Sequence, residues 1–478
     1  MRGTVSWAEP GLRRGSPNLR SPQQASIGGQ LLRAPLLWAM PIYQIITFGC
    51  KVNQSESAAL AEALGGETFA ARFPDRPPEV IVVNTCTVTA RADQQARQTL
   101  RRLARDYPSV PLVVTGCYAQ RAPEELAVLP GVAGVWGNRE KDALPEFIKK
   151  CQAGGEPVVQ VKPLAPKEPF WGGGAQCFPG HTRAWLKIQD GCSHSCTYCI
   201  VPRVRGPGRS LTPQEVVRSL KTLADLGYQE VVLTGIDLGQ YGQDLTPPLS
   251  LARLLDTLAL LPRPRRLRLS SLEPQEVTPD LIQVLRKLPG LCPHFHLPLQ
   301  SGSKAVLAAM GRPYRPDEFR DLCLALHQEF PEAAFGVDVL VGFPGESVAD
   351  FEATRELLAA LPLAYLHVFP YSPRPGTAAY SLKPPPAAET KRRALTLREL
   401  GQNLKAGFYR KQVGLTGEIL VEGPASGRPG WLQGLSANYL RVLLPGPATW
   451  RNRLIAVRYT RVEQGFLIGE PLSPDPEP

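Results

Sequence analysis

No apolar run in these 478 residues approaches the ~20 positions that a membrane-spanning helix needs, so a membrane enzyme is not expected. Regular cysteine spacing is missing as well. The ten cysteines are scattered through a long chain, unlike those of a small secreted disulfide scaffold. They read as metal ligands plus buried thiols, in a protein of the reducing cytoplasm. Acidic residues fall short of basic ones, 43 against 54, and the net charge of +11 favours a polyanionic partner, nucleic acid before an anionic membrane surface. With 43% hydrophobic and 20% charged residues, most of the chain has the composition of ordinary globular cores. Its length suits roughly two to four domains.

The first forty residues lack acids almost entirely. They hold Arg2, Arg13, Arg14, Arg20 and Arg33 against Glu9 alone, among many Ser, Gly and Pro. Composition points to a disordered extension, or to a start placed in error ahead of Met40; an Arg-rich organelle transit peptide is the alternative. Residues 471–478 are expected to be a disordered tail.

An organised first block, 41–155, begins at Pro41-Ile42-Tyr43. "YQIITFGC", "VIVVNTC" and "PLVVTGC" are short continuous apolar runs, the signature of strands buried on both faces of a parallel sheet. Helical patterns separate them. "SESAALAEAL" is expected to start at a Ser55 cap and stop at Gly65-Gly66, and "RADQQARQTLRRLARDY" to stop before Pro108. The alternation implies a doubly wound α/β domain, in which sites form at the carboxyl ends of strands. Cys50, Cys86 and Cys117 each lie just past such an end, so three thiols far apart in sequence could meet at one edge. Three unrelated core cysteines are the blander alternative. On helix 2, Arg97, Arg101, Arg102 and Arg105 share a face that reads as solvated.

A linker is expected over 156–180 and a second block over 181–406. "RAWLKIQDGC" is again a strand running into a cysteine. "LTPQEVVRSLKTLADLG" is a marked helix, with Thr212 as N-cap, Pro213 at the first position, Glu215 completing a capping box and Gly227 as the stop. Strands follow in "EVVLTGID", "RLRLSS", "FHLPLQ", "FGVDVLVGF" and "YLHVFPY". This is a (β/α) series for a partial or full barrel, with its chemistry at the C-terminal strand ends. Gly235, Gln300, Gly342 and Glu346 all fall there. For Glu346, capping of its own loop is an equal alternative.

The last block, 407–470, has short alternating runs broken by Gly, Pro and Asn, the pattern of a small antiparallel, OB-like β-barrel. Trp431, Tyr439 and Arg441 could stack on or hold single-stranded RNA, with core packing the alternative for either aromatic.

The most specific signal is "DGCSHSCTYCIVPRVRG" at 190–206. Cys192, Cys196 and Cys199 form a Cys-x3-Cys-x2-Cys array with no fourth cysteine at short range. Soft thiolates favour an iron–sulfur cluster or zinc, and three of them fill three corners of a [4Fe–4S] cube. A Cys3His zinc site using His194 is the alternative, although structural zinc ligands usually come as two separated pairs. The spacing resembles the radical S-adenosylmethionine (SAM) family. In that family the fourth iron is left free to chelate SAM, whose cleavage yields a 5′-deoxyadenosyl radical.

From about residue 42 to 470 the chain resembles the radical-SAM methylthiotransferases: an N-terminal domain with three separated cysteines, a radical-SAM barrel and a C-terminal RNA-binding TRAM domain. The resemblance implies a second [4Fe–4S] cluster on Cys50, Cys86 and Cys117, carrying the sulfur that is inserted. It also implies a facing arrangement of the two clusters, and SAM contacts in the loops of Gly235, Gln300, Gly342 and Glu346. "GCKVNQSES", "CTYCIVPRVRGPGRS", "LSSLEPQEV", "HFHLPLQSGS" and "LHVFPYSPRPGT" resemble the branch acting at C2 of N6-threonylcarbamoyladenosine, 3′ of the tRNA anticodon. Arg203 stands where the family usually has an aromatic residue, and Asp237 where His or Asn is more common. The implied partners are that tRNA, a reducing electron donor and a sulfur donor. Arg203, Arg205 and Arg209 are candidates for RNA phosphate contacts, and Arg203 and Arg205 for the substrate's carboxylate. A solvated basic loop is the alternative. The remaining rivals are a methylthiotransferase for isopentenyladenosine or for a ribosomal protein, and a zinc-stabilised RNA-binding protein.

Overall fold

Buried parallel strands fold as their apolar runs predict. The computed structural model describes residues 41–65, 67–69, 77–164, 170–178 and 180–473. The arginine-rich extension and the tail from residue 474 lie outside the described residues. Strands β1 (Ile42–Thr47), β2 (Glu67–Phe69), β3 (Val80–Thr85), β4 (Leu112–Gly116), β5 (Val132–Trp136) and β6 (Val158–Gln160) form one parallel sheet in the order β2-β1-β3-β4-β5-β6. The order reverses between β1 and β3, and a crevice opens at the carboxyl ends of strands at such a point. Strand β6 falls within the stretch read as a linker.

Helix α1 (Lys51–Leu64) starts earlier than expected. Cys50 is its N-cap residue, Ser55 is buried inside it, and Gly65 ends it in the left-handed region. Helix α2 (Ala90–Asp106) is capped by Thr89, which accepts from the Ala92 N–H.

Six parallel strands make the second block: β7 (Arg183–Lys187), β8 (Glu230–Thr234), β9 (Arg266–Leu269), β10 (His294–Gln300), β11 (Ala334–Val341) and β12 (Tyr365–Pro370). They pair as β9-β8-β7 and β10-β11-β12, and single bridges at Leu267–Leu291 and Ser271–His296 connect the two sets into a partial barrel. The helix Pro213–Asp225 has the expected Thr212–Glu215 capping box. Strand side chains alternate between faces. Leu267 and Phe295 join the main apolar core, which also takes in Ala58 of α1. Between them, Arg266, Arg268, His294 and His296 point the other way, into the lumen.

The third sheet closes on itself. Strands β13 (Thr416–Pro424), β14 (Trp431–Ser436), β15 (Arg441–Pro445), β16 (Leu454–Glu463) and β17 (Phe466–Pro471) form a barrel in the order β13-β14-β15-β17-β16. One pair, β15 with β17, is parallel, whereas the alternating runs suggested antiparallel pairing throughout. Ile419, Val442, Ile455 and Leu467 are among its core residues.

Candidate active site

The three early cysteines meet at the crevice. Cys50 caps α1 after β1, Cys86 follows β3, and Cys117 opens the short helix α3 (Cys117–Arg121) after β4. Two glycines let these ends approach. Gly49 has φ +101°, and a Cβ there would lie 2.8 Å from Cys86 Cβ; Gly116 has φ +96°, and its Cβ would lie 2.4 Å from the Thr85 carbonyl oxygen. Asn53 Nδ2 donates to the carbonyls of Phe48 at 2.7 Å and Thr85 at 3.0 Å, tying α1 to both strand ends. Burial first, then the charges of Cys117 and Cys50, push the Cys86 thiol up to about 12. Thiols that raise one another in this way are a set whose deprotonated form a metal centre stabilises.

The second set lies beside the first. Cys192, Cys196 and Cys199 follow β7 on a loop pinned by Thr197 N–H to the Met310 carbonyl at 2.9 Å and by Ala379 N–H to the Thr197 carbonyl at 2.8 Å. Arg312 Nη1 donates to Cys196 Sγ at 3.3 Å, and its guanidinium also pairs with Glu273. Burial pushes the Cys199 thiol up to about 12. Helix α4 (Val201–Arg205) comes next in the chain, and Ile200 and Val204 pack directly on Cys117. Asn138 Nδ2 donates to the Val204 carbonyl at 2.6 Å. One turn of helix therefore joins the two thiol sets.

His194 does not complete a four-ligand site with the three cysteines. Its Nε2 lies 3.1 Å from Asp237 and 3.3 Å from Glu276, and hydrogen bonds to these two carboxylates raise it to about 10. A zinc-bound histidine is neutral. The metal-compatible grouping around His194 takes in Cys192 and Asp237, not Cys196 or Cys199. Asp237, noted as a departure from the family pattern, accepts from Cys192 Sγ at 3.3 Å and so sits at the thiols.

Several of the other expected site residues have different work. Arg205 is 1% exposed. Its guanidinium binds Glu56 at 2.9 Å, Asp190 at 2.8 Å and Asn53 at 2.5 Å. Glu56 also holds Lys141 and Lys187, so a buried ion cluster bolts α1 to the second block. Arg205 Nε, the donor left without a partner among the described residues, is itself buried, so Arg205 does not reach RNA phosphate or a substrate carboxylate. Arg209 pairs with Asp190 at 3.3 Å. Arg203 stays exposed, with its guanidinium near Gly376. Glu346 is buried, accepts from the Gly342 N–H at 2.6 Å and pairs with Arg393 at 2.7 Å, so it braces its own loop. Gly342 packs against Thr390, where a Cβ would collide. Gly235 lies over Gln189, and Gln300 ends β10 with φ +67°. In the last barrel Arg441 is exposed and Trp431 lies under the Arg428 guanidinium at 4.0 Å. Arg101, Arg102 and Arg105 are exposed, while Arg97 donates to the Tyr118 hydroxyl at 2.5 Å.

Tyr439 turns inward. Its φ of +68° aims it at the amino ends of the lumen strands, where it stacks on His294 at 4.4 Å with Arg268 at 4.9 Å. Arg268 Nη1 donates to the Ala437 carbonyl at 2.8 Å, and Arg266 Nη2 to the Glu418 carbonyl at 2.5 Å. The C-terminal barrel thus floors the lumen. Above that floor His296 and His367 both lie against Asp338, at 3.0 and 3.1 Å. These lumen residues were missed in the sequence, although "RLRLSS", "HFHLPLQ" and "YLHVFPY" each begin with two polar residues separated by one apolar residue.

With this geometry in place, comparisons with known proteins are decisive. Residues 186–358 match the Radical SAM superfamily, and residues 42–137 match the "Uncharacterized protein family UPF0004". A threonylcarbamoyladenosine tRNA methylthiotransferase of Bacillus subtilis is 34% identical over 89% of this chain and 95% of its own length. The chain is a member of the radical-SAM methylthiotransferases. A second relative with that activity in its name, from Aquifex aeolicus, is 37% identical over 78% of this chain and 91% of its own. A tRNA-2-methylthio-N(6)-dimethylallyladenosine synthase of Moorella thermoacetica is 32% identical over 90% and 98%. Among solved structures, the radical SAM methyltransferase TsrM of Kitasatospora setae matches at TM-score 0.51 and 17% identity, covering 69% of this chain and 72% of that one, a likeness of fold. This methylthiotransferase is therefore a tRNA-modifying enzyme that works with SAM and [4Fe–4S] clusters. Among the described residues no helix is long and apolar enough to cross a membrane.

Proposed function

We propose that the enzyme methylthiolates C2 of N6-threonylcarbamoyladenosine, next to the tRNA anticodon, in the cytoplasm. The observation that carries this reading is the polar lumen beside the thiols: Arg268, His294, Tyr365, His296 and Asp338 line it. A threonylcarbamoyl group brings a carboxylate and a hydroxyl to such a lining, in which His294 Nδ1 is buried without a hydrogen-bond partner among the described residues, whereas an isopentenyl group would offer that atom nothing.

Cys192, Cys196 and Cys199 would hold the cluster that binds SAM, and Cys50, Cys86 and Cys117 the one whose sulfur is inserted. When bound, the SAM-binding cluster supplies the electron that makes a 5′-deoxyadenosyl radical, a reagent able to act at a purine carbon–hydrogen bond without acidity. The chain's own residues hold this apparatus. Arg312 hydrogen-bonds Cys196, α4 fixes the spacing of the two thiol sets, and Gly235 and Gln300 are the strand-end positions left open to SAM. Exposed Arg203 and Arg441, together with the net charge, would guide the RNA backbone to the lumen. The TRAM assignment of the closed barrel belongs to this reading. The test offers the anaerobically reconstituted enzyme two tRNAs, one threonylcarbamoylated and one isopentenylated, and analyses nucleosides by mass spectrometry. Methylthiolation of the threonylcarbamoyl tRNA is expected; preference for the isopentenyl tRNA would transfer the enzyme to the other branch.

A further inference from the structure

Three neighbouring lumen strands each bring one metal-ligating side chain to the same place. His296 is on β10, Asp338 on β11 and His367 on β12. Asp338 and His367 are register partners, and His296 stands beside Gly336, two residues before Asp338 and so on the same face of the sheet. Asp338 Oδ1 lies 3.0 Å from His296 Nε2 and 3.1 Å from His367 Nδ1. The three ligand atoms all fall within 4.8 Å of one another. The other such group among the described residues, Cys192 with His194 and Asp237, belongs to the thiols.

Ion pairing alone does not account for this arrangement. His296 Nε2 makes no hydrogen bond among the described residues, near as Oδ1 is, because the ring direction misses that oxygen. The nitrogen and the oxygen sit side by side instead of pointing at each other. On the far side of the ring Ser271 Oγ lies 2.6 Å from Nδ1. When Nδ1–H donates to that hydroxyl, Nε2 keeps its lone pair for the space beside Asp338, the orientation a metal-ligating imidazole takes from such a partner. Tyr365 stacks on His296 and packs against His367, with ring centroids 6.2 and 5.0 Å apart, which steadies both imidazoles. Bonds of about 2.0–2.2 Å to one ion, at right angles, set adjacent ligand atoms roughly 3 Å apart. That is the spacing of Oδ1 from each nitrogen.

We propose that His296, Asp338 and His367 bind one divalent transition-metal ion, and that its open positions take the carboxylate of the threonylcarbamoyl group. The second half rests on the substrate reading given above. Two imidazoles favour a transition ion over magnesium or calcium, which take oxygen ligands. Three protein ligands leave coordination positions open, as in zinc sites that handle substrates. Strands and not loops carry the set, so its spacing is fixed before any ion arrives. The His367 side chain is 49% exposed, which opens the site towards the lumen space and not the core. An isopentenyl group has no atom to offer such an ion.

The probe is Mn²⁺, which prefers nitrogen and oxygen ligands to thiolates. It is titrated into the full-length enzyme with both clusters reconstituted and oxidised, and electron paramagnetic resonance counts the bound ions and reads their nitrogen couplings. The wild type should take up one Mn²⁺ per chain and show imidazole couplings. His367→Gln and Asp338→Asn should each weaken uptake at least about 10-fold, because even residues that only orient a metal ligand are worth about 10- to 100-fold in affinity. Ser271→Ala should fall within that range. Cluster iron at the wild-type ratio checks that each variant folds, and the nitrogen couplings of the wild type decide without any variant. No uptake, uptake without imidazole couplings, or uptake undiminished in folded His367→Gln overturns the proposal. Anticodon stem-loop RNAs carrying threonylcarbamoyladenosine or isopentenyladenosine then test the open positions. Coupled binding is reciprocal, so the first RNA should tighten Mn²⁺ about 5- to 150-fold more than the second. Equal effects of the two RNAs would overturn the carboxylate contact. Preferential methylthiolation of the isopentenyl RNA would instead defeat the substrate reading, and that contact with it, while the ion count and its couplings would still stand.

Discussion

Removing Glu56 should weaken the protein far more than removing any surface acid. Glu56 is 2% exposed, and it accepts from Lys141 at 2.5 Å, Lys187 at 2.9 Å and Arg205 at 2.9 and 3.1 Å. Burial alone would raise its carboxyl; the charges of Arg205, Lys141 and Lys187 together outweigh burial and hold it well below 4.5. In Glu56→Ala, Asp190 still serves Lys187 and Arg205. Lys141 keeps no ion pair among the described residues. Stranding buried charge in this way costs about 3–5 kcal/mol, a large share of the ~5–15 kcal/mol that holds a domain folded. Because the folded carboxyl is depressed, its contribution is fully present above the unfolded value near 4.5 and disappears as pH falls through the folded value. Urea unfolding at pH 7 should therefore show the full gap between wild type and Glu56→Ala, and the gap should narrow below pH 4.5. A difference under ~0.5 kcal/mol at pH 7, the size of an ordinary surface substitution, would refute the ion-cluster argument. So would a gap of the same size on both sides of pH 4.5.

Cys86→Ala should bind roughly half the iron of the wild type and still cleave SAM reductively, since the Cys192 set is intact; unchanged iron and product would break up the first thiol set. Cys196→Ala should form no 5′-deoxyadenosine yet retain the iron of the first set, measured by chromatography and iron assay, and continued SAM cleavage would contradict its role. Gly49→Ala removes no thiol, but its Cβ would meet Cys86 Cβ at 2.8 Å from a backbone with φ +101°. It should lower the iron-to-protein ratio as Cys86→Ala does, and a wild-type ratio would show that the two loops separate without consequence.

The strand-and-cysteine layout was legible in the sequence because strands buried on both faces carry continuous apolar runs, and each run ended at a thiol. The capping box at Thr212 was legible because it is local. Arg205 was not. A basic run has the same composition whether solvent or buried carboxylates neutralise it, and Glu56, the partner that decides, stands 149 residues away. Tyr439 was misplaced for a related reason: a barrel aromatic can face RNA or a neighbouring domain, and only the positive φ at that turn selects the second. The lumen lining did leave a signal, since Arg266/Arg268, His294/His296 and Tyr365/His367 alternate with apolar residues at the period of a strand. A barrel with a polar inside and an apolar outside has that pattern. Helix α1 was placed too late because Ser55 resembles a cap, whereas Cys50, a poor capping residue, occupies that position to meet its partner thiols.

The wide separation of Glu56 from its partners also sets a clock on biogenesis. A ribosome that adds about 5–20 residues per second completes Glu56 roughly 7–30 s before Arg205, and Lys187 arrives only slightly sooner. Lys141 is added 85 residues after Glu56, so for the first part of that interval α1 lacks all three cations that bury its carboxylate, and for most of the rest it lacks two. The first sheet, with Cys50, Cys86 and Cys117 already synthesised, waits on a half-built neighbour.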